Sequence, residues 1–203
     1  MYRLLLAVFL LGGCQTASDG SLPFYQSPAR TPEWISPAEV THRVGAFSLT
    51  NQDGRTITEA DLEGRIYIAN FFFASCSGIC PTMRSNLAAV QAAFAGDERV
   101  LILSHSVLPA QDSVDNLRAY ATINEVDSRS WHLLTGDQAQ IYDLARRSYF
   151  ADVSDAAPVP GRDLLHTETV VLVDQHGRVR GLYNGTLKFD VQQLIKDVRT
   201  LKS

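Results

Sequence analysis

The chain has 203 residues, of which 45% are hydrophobic and 20% charged, and its formal net charge is −4. This composition indicates one ordinary globular domain, and the interspersed charges form no basic stripe, so nucleic acid is excluded as an expected partner. Three cysteines are too few for a disulfide-dense scaffold, so each cysteine needs its own explanation.

The amino-terminal residues resemble a bacterial export signal. Arg3 precedes an apolar run over residues 4–11, and two glycines then lead to Cys14. The run is too short for a stable transmembrane span of about 20 residues. The ending LGGC resembles the lipobox of bacterial lipoproteins. We therefore predict a lipoprotein-type signal peptide over residues 1–13 and lipidation of Cys14; the alternative is a plain signal peptide with an incidental cysteine.

Residues 14–40 are predicted to form a lipidated tether, because this segment is polar and interrupted by prolines that favour an extended chain. Trp34 and Ile35 are apolar exceptions and candidates for docking on the domain, which is assigned to residues 41–203. The expected location is outside the cytoplasm: an exported protein anchored by its lipid to a bacterial membrane, with the domain facing the periplasm or the cell exterior.

The domain alternates strand and helix patterns. FSLT (47–50), the turn NQDG and the segment around Thr56 predict a β-hairpin. The apolar run 66–73 predicts a strand buried on both faces, and the segment after Pro81 has the apolar spacing of a helix. Later segments continue the alternation: strands at 100–107, from 131, at 168–174 and at 178–185, and helices over about 112–124, over 137–147 and from near Asp190. This order predicts a three-layer α/β domain.

Two cysteines, Cys76 and Cys80, lie between the strand 66–73 and the helix that follows it. This is the edge of a sheet at which α/β folds place their sites, and the helix amino terminus favours thiolates. In an exported protein the pair predicts a disulfide, a catalytic dithiol or a metal site. The C-x-x-x-C spacing is less typical of a redox site than C-x-x-C and favours a chelate, for which Cu(I) is suited.

A third ligand would adapt the site to Cu(II), and a single imidazole is the usual choice. His166 is the first candidate, because it comes just before the strand 168–174, which lies beside the cysteine loop in a thioredoxin-like topology. His105 is the second candidate, because it is near the end of the strand 100–107. The other histidines are expected in surface or structural roles: His42, His132 and His176.

Taken together, these features resemble the Sco/SenC family of copper-binding proteins with a thioredoxin fold. The similarity covers about residues 44–201 and rests on FSLTNQDG, FFFASCSGICPTM, LSHSV and LLHTETVVLVDQHGRVRGLYNG. It implies a thioredoxin-like fold, a central mixed sheet flanked by helices with an added N-terminal β-hairpin. It also implies copper, as Cu(I) or Cu(II), bound by Cys76, Cys80 and His166.

Two positions depart from the family pattern. Leu108 and Leu165 stand where many relatives have aspartate, although Asp112, Asp163 and Glu168 are nearby. The presumed ligands are all present, so the departures concern the surroundings of the metal and the docking of partners.

The resemblance implies a copper metallochaperone that assists assembly of a respiratory oxidase. Its expected partner is a cytochrome c oxidase subunit with a CuA site, or another copper protein of the cell envelope. The alternative is a thiol-disulfide reductase, in which Cys76 and Cys80 are a redox-active dithiol that keeps the cysteines of such a protein reduced. A third interpretation is a structural disulfide in an α/β binding module.

Overall fold

The computed structural model describes residues 22–152, 165 and 167–203. Within these residues, strands form one mixed sheet in the order β2-β1-β5-β4-β3-β6-β7. The strands are β1 (Ser48–Asn51), β2 (Thr56–Thr58), β3 (Ile66–Phe72), β4 (Val100–Ser106), β5 (Trp131–Thr135), β6 (Thr169–Val173) and β7 (Val179–Asn184). The α-helices are α1 (Cys80–Ala93), α2 (Val114–Ile123), α3 (Gln138–Asp143) and α4 (Lys188–Lys202).

The three central strands, β4 flanked by β3 and β5, run parallel, and every residue of these strands is buried. Such strands need cover on both faces. On one face, α1, α2 and α4 pack through Leu87, Leu117 and Leu194. On the other face, α3 packs through Ile141, together with Tyr149 just beyond it. The predicted three-layer α/β domain is thereby confirmed.

The predicted N-terminal hairpin is also confirmed. Strand β1 pairs antiparallel with β2, and its other edge pairs antiparallel with β5. Asn51 closes the turn, since its Oδ1 atom accepts hydrogen bonds from the N–H groups of Asp53 (3.0 Å) and Arg55 (2.9 Å). Asparagine side chains stabilise turns in this way.

The helix predicted over 137–147 begins as expected but changes its winding. Asp137 caps it by accepting a hydrogen bond from the N–H of Gln140 (2.7 Å). The α-helix ends at Asp143, and residues Leu144–Ser148 form a π-helical turn. Its wider winding leads into Tyr149, which lies fully buried with its ring edge-on to Phe71. The packing of one aromatic residue therefore accompanies the departure from regular α-helix.

The described part of the predicted tether, residues 22–40, lies against the domain. Phe24 is 4% exposed and packs beneath the guanidinium of Arg180, 4.0 Å from the ring centre. Arg30 donates hydrogen bonds to the carbonyl oxygens of Phe150 and Ala151, both at 2.7 Å. Of the two expected docking residues, Trp34 is instead 58% exposed and Ile35 is half-buried.

Cys14 and the predicted signal peptide lie outside the described residues. Lipidation and export therefore remain predictions from the sequence. In the part of the chain that the structure describes, no helix combines the length and apolar character needed to cross a membrane.

Candidate functional site

The two cysteines lie where the sequence predicts, at the carboxyl end of β3. Cys80 is the first residue of α1, and Cys76 lies in the preceding loop, where its N–H donates a hydrogen bond to the carbonyl oxygen of Phe73 (3.2 Å). Both are free thiols. Helix α1 has Pro81 in its first turn and no side chain capping its amino terminus. The unpaired N–H groups of this turn are therefore available to the sulfurs.

The two thiols differ in exposure. Cys80 is 8% exposed and packs in the same core cluster as Met83 and Leu87. Cys76 is only partly buried. A β-carbon added at Gly78 would lie 4.0 Å from the Cys76 sulfur, so the glycine leaves that side of the sulfur open. Cys76 is therefore the more accessible of the two sulfurs.

The two thiols also differ in acidity. Burial raises the pKa of Cys76, but interactions with the Cys80 thiol and with the backbone N–H groups of Cys80, Gly78 and Ile79 outweigh it, so the net pKa is lowered. Burial, followed by the interaction with Cys76, raises the pKa of Cys80 to about 12. Cys76 is thus the more readily ionised sulfur, and Cys80 holds its proton.

This asymmetry predicts the order of alkylation. In the reduced protein, iodoacetamide should modify Cys76 first, with a rate that rises with pH and is half-maximal below the ordinary thiol pKa of about 9. The raised pKa of Cys80 keeps this sulfur protonated at pH 8, so its own alkylation should be slower. Peptide mapping after timed quenching measures both rates. Modification of Cys80 at an equal or higher rate would contradict the assignment.

A buried carboxylate, Asp112, holds the start of the cysteine loop. It is 3% exposed, and its Oδ2 atom accepts hydrogen bonds from the Ala74 N–H (3.1 Å) and the Ser106 hydroxyl (2.5 Å). Ser106 Oγ accepts in turn from the N–H of Leu108 (3.2 Å). Asp112 therefore links the end of β4 to the residue two positions before Cys76.

Tyr120 of α2 is a part of the site that the sequence analysis missed. Its ring packs against Phe72, with ring centres 5.5 Å apart. Burial raises the pKa of Tyr120 to about 12; Arg84 opposes this, and the proximity of Cys80 and Cys76 adds to it. No local signal marks this tyrosine, because it reaches the cysteines only when α2 folds back over the sheet.

His105 is not brought to the cysteines. It is fully buried on β4, stacked on Phe71 with ring centres 5.1 Å apart and tilted against Tyr149 with ring centres 5.4 Å apart. These rings belong to the core on the opposite face of the sheet from Cys80. Burial lowers the pKa of His105 to about 4, so the imidazole is neutral. It is a core residue, and its candidacy as a ligand is not supported.

His166 lies outside the described residues, but both of its neighbours are described. Leu165 is buried in the same core cluster as Tyr149, and the Thr167 hydroxyl donates a hydrogen bond to the Ala151 carbonyl oxygen (2.7 Å). Strand β6 then begins at Thr169, next to the end of β3. Among the described residues alone, no group of three or more histidine, cysteine, aspartate or glutamate residues could hold a metal ion.

Most of this chain matches one known protein family. The family model described as SCO1/SenC matches residues 36–203. The chain belongs to the SCO1/SenC family. Among curated relatives, the SCO1 protein homolog of Bacillus subtilis (strain 168) is 29% identical to this SCO1/SenC protein over 163 residues. The aligned region covers 79% of this chain and 83% of the relative.

Solved structures of other family members confirm the thioredoxin-like fold of this SCO1/SenC chain. One of them is BsSco, described as a member of the Sco family of cytochrome c oxidase assembly proteins with a disulfide switch. It is 28% identical to this chain and has a TM-score of 0.68. The match covers 81% of this chain and 95% of that chain. Copper-bound ScoI of Arabidopsis thaliana is 26% identical, with a TM-score of 0.59 over 78% of this chain and 97% of that chain.

Proposed function

We propose that this protein is a copper metallochaperone of the cell envelope that assists assembly of cytochrome c oxidase, most simply of its CuA centre. The observation that carries the proposal is the pair Cys76 and Cys80, two free thiols on the first turn and preceding loop of α1, in a chain of the SCO1/SenC family. A relative of the same fold binds copper, and another is described as an oxidase assembly protein.

Copper is the cargo of this site, and the donor set suits it. Thiolate sulfur is a soft ligand that selects Cu(I), and an imidazole from His166 would complete a site that also accepts Cu(II). The Cys80 thiol has a pKa of about 12 and is therefore protonated at neutral pH. Metal binding must displace this proton, because the thiolate is the ligand. Strand β6 begins three residues after His166, and its start lies beside the end of β3 that leads to the cysteines, which supports His166 as the third ligand.

A thiol-disulfide reductase is the second candidate, and the acidity of the two sulfurs favours it. A lowered pKa at the accessible Cys76 and a raised pKa at the buried Cys80 suit an attacking thiolate followed by a resolving thiol. In that reaction Cys76 attacks a substrate disulfide and releases one thiolate. Cys80 then attacks the mixed disulfide, leaving a Cys76–Cys80 disulfide and a reduced substrate.

Two assays on one preparation separate the candidates. The full chain, reduced and loaded with Cu(I), is mixed with an apo fragment that carries a CuA site, and transferred copper is counted. The copper-free chain is tested for disulfide reduction with reductant in excess. We expect stoichiometric transfer and slow turnover, because delivering one ion requires no repeated redox cycle. Rapid copper-independent turnover, lost in Cys76→Ser and kept in His166→Ala, would make the protein a reductase.

We also propose that the protein is exported and lipid-anchored through Cys14 to a bacterial membrane, with its domain facing the periplasm or the cell exterior. The sequence LGGC after a short apolar run supports this. The several acyl chains of a bacterial lipoprotein bind a membrane firmly, whereas one chain binds marginally. Cys14→Ser should therefore move the protein from the membrane to the soluble fraction. A mature amino terminus at any other residue would contradict the proposal.

A further inference from the structure

A charged pocket lies at the sheet edge opposite to the cysteines. Strands β3 and β5 begin at this edge, and the pocket has a volume of about 260 Å³. Apolar residues of β2, β4 and the short 3-10 turn before β3 line part of it. Beside the polar Ser128, its ionisable lining comes from six side chains: Asp53, Arg55, Asp61, Arg65, Arg129 and His132. None of these belongs to the cysteine site.

His132 lines this pocket and holds a hydrogen-bond donor on its ring. Its side chain lies on β5, and the residue is 8% exposed. The Asn51 amide is oriented by its Oδ1 atom, which accepts two backbone N–H groups of the hairpin turn. The Nδ2 atom of Asn51 therefore faces His132 Nδ1, at 3.4 Å, and donates to it. A neutral imidazole whose Nδ1 accepts a hydrogen bond carries its proton on Nε2.

This Nε2–H group has no acceptor among the described residues. Burial lowers the pKa of His132, and the nearby charges of Arg55 and Arg65 lower it further against the opposing effect of Asp53 and Asp61. The ring is therefore neutral at physiological pH. An imidazole N–H that no described acceptor takes up, on a residue that lines the pocket, is available to an acceptor of a ligand.

The charges of the lining select the sign of the ligand. Three arginines face two aspartates in the pocket, although the whole chain is negative. Arg55 pairs with Asp61 (2.9 Å) and Arg129 pairs with Asp127 (2.7 Å), which lies outside the pocket. Arg65 makes no ion pair with any described carboxylate. A cation would meet these guanidinium groups, whereas an anion would pair the free one.

We propose that this pocket binds a small oxyanion, a phosphate or a carboxylate, through the Nε2–H of His132 and the guanidinium of Arg65. The planar fork of an arginine matches two oxygens of either group, and the imidazole supplies a further donor. Arg129 is largely exposed and can turn from Asp127 to add a second positive charge. The site is independent of copper and of the oxidation state of the cysteines.

The test uses the full copper-free chain, labelled with ¹⁵N in histidine, titrated with inorganic phosphate at constant ionic strength. We expect a saturable shift of the His132 Nε2 resonance, with the exposed His176 as an internal control. A parallel titration with acetate distinguishes the two oxyanions: tighter binding of phosphate assigns a phosphate site, and tighter binding of acetate assigns a carboxylate site. A shift that never saturates, or that sodium chloride reproduces, would overturn the proposal.

Variants locate the site. Arg65→Gln should raise the dissociation constant about tenfold or more, because it removes a charge-assisted hydrogen bond. Arg129→Gln should raise it by a smaller factor, and since this side chain is exposed the variant keeps its fold. Arg118→Gln, on the surface of α2, is the matched control and should leave the constant unchanged. Equal dissociation constants for Arg65→Gln, Arg129→Gln and the unchanged chain would place the anion elsewhere.

Discussion

Replacing either Cys76 or Cys80 by serine is expected to weaken Cu(I) binding at least about a hundredfold, because each change removes one of two soft ligands and leaves a hard oxygen in its place. Among the described residues, no group of three or more histidine, cysteine, aspartate or glutamate residues offers an alternative metal site. Competition with a Cu(I) chelator under anaerobic conditions measures the loss directly.

The control for this experiment is Cys14→Ser, which alters the third cysteine of the chain. It should leave Cu(I) affinity unchanged when the proteins are compared in detergent. The two site variants should retain their fold, since serine is close to cysteine in size; circular dichroism checks this. Wild-type affinity in either site variant would show that copper binds elsewhere.

Replacing His166 by alanine is expected to weaken Cu(II) binding far more than Cu(I) binding. Two thiolates satisfy the low-coordinate Cu(I) ion, whereas Cu(II) prefers further ligands and binds nitrogen well. We expect a loss of at least about tenfold for Cu(II), together with a change in the sulfur-to-copper charge-transfer absorption. Titrations of both oxidation states, followed by absorption spectroscopy, measure the two effects on one protein.

The matched control is His176→Ala, because this imidazole is exposed on the turn between β6 and β7. It should leave the Cu(II) spectrum unchanged. An unchanged spectrum in His166→Ala would remove His166 from the ligand set. His105 could not take its place without refolding of the sheet, because it points into the core on the face away from Cys80.

Local patterns were enough to predict the elements that carry the cysteines. The apolar run of β3, the turn asparagine of the hairpin and the proline in the first turn of α1 each act on residues that are a few positions away. Cys76 and Cys80 could therefore be placed at a strand end and a helix start without any knowledge of distant contacts. Local patterns were less successful for the segment before the domain, where Trp34 and Ile35 were the docking candidates but Phe24 is the buried aromatic residue.

The burial of Phe24 depends on distant residues. Its environment is made by Arg178 and Arg180, with the ring 5.1 Å and 4.0 Å from their guanidinium carbons. These arginines come more than 150 positions later in the chain, and they are held in place by their ion pairs with the buried Asp174. The available partners, the guanidinium groups of Arg178 and Arg180, decided which ring was covered.

The sequence by itself determined which residues alternate along a strand, and the tertiary structure decided which face each alternate set would meet. In β4, Leu101, Leu103 and His105 share one face by their period of two, and this was visible in the sequence. Helix α1, which begins at Cys80, connects β3 to β4. The side of the sheet on which this connection lies decided whether the face with His105 would contact α1. The contact of Asp112 with Ala74, across 38 positions, depended in the same way on how β4 and the following loop pack beside β3. Such contacts arise from burial and pairing between distant segments, for which short-range periodicity carries no signal.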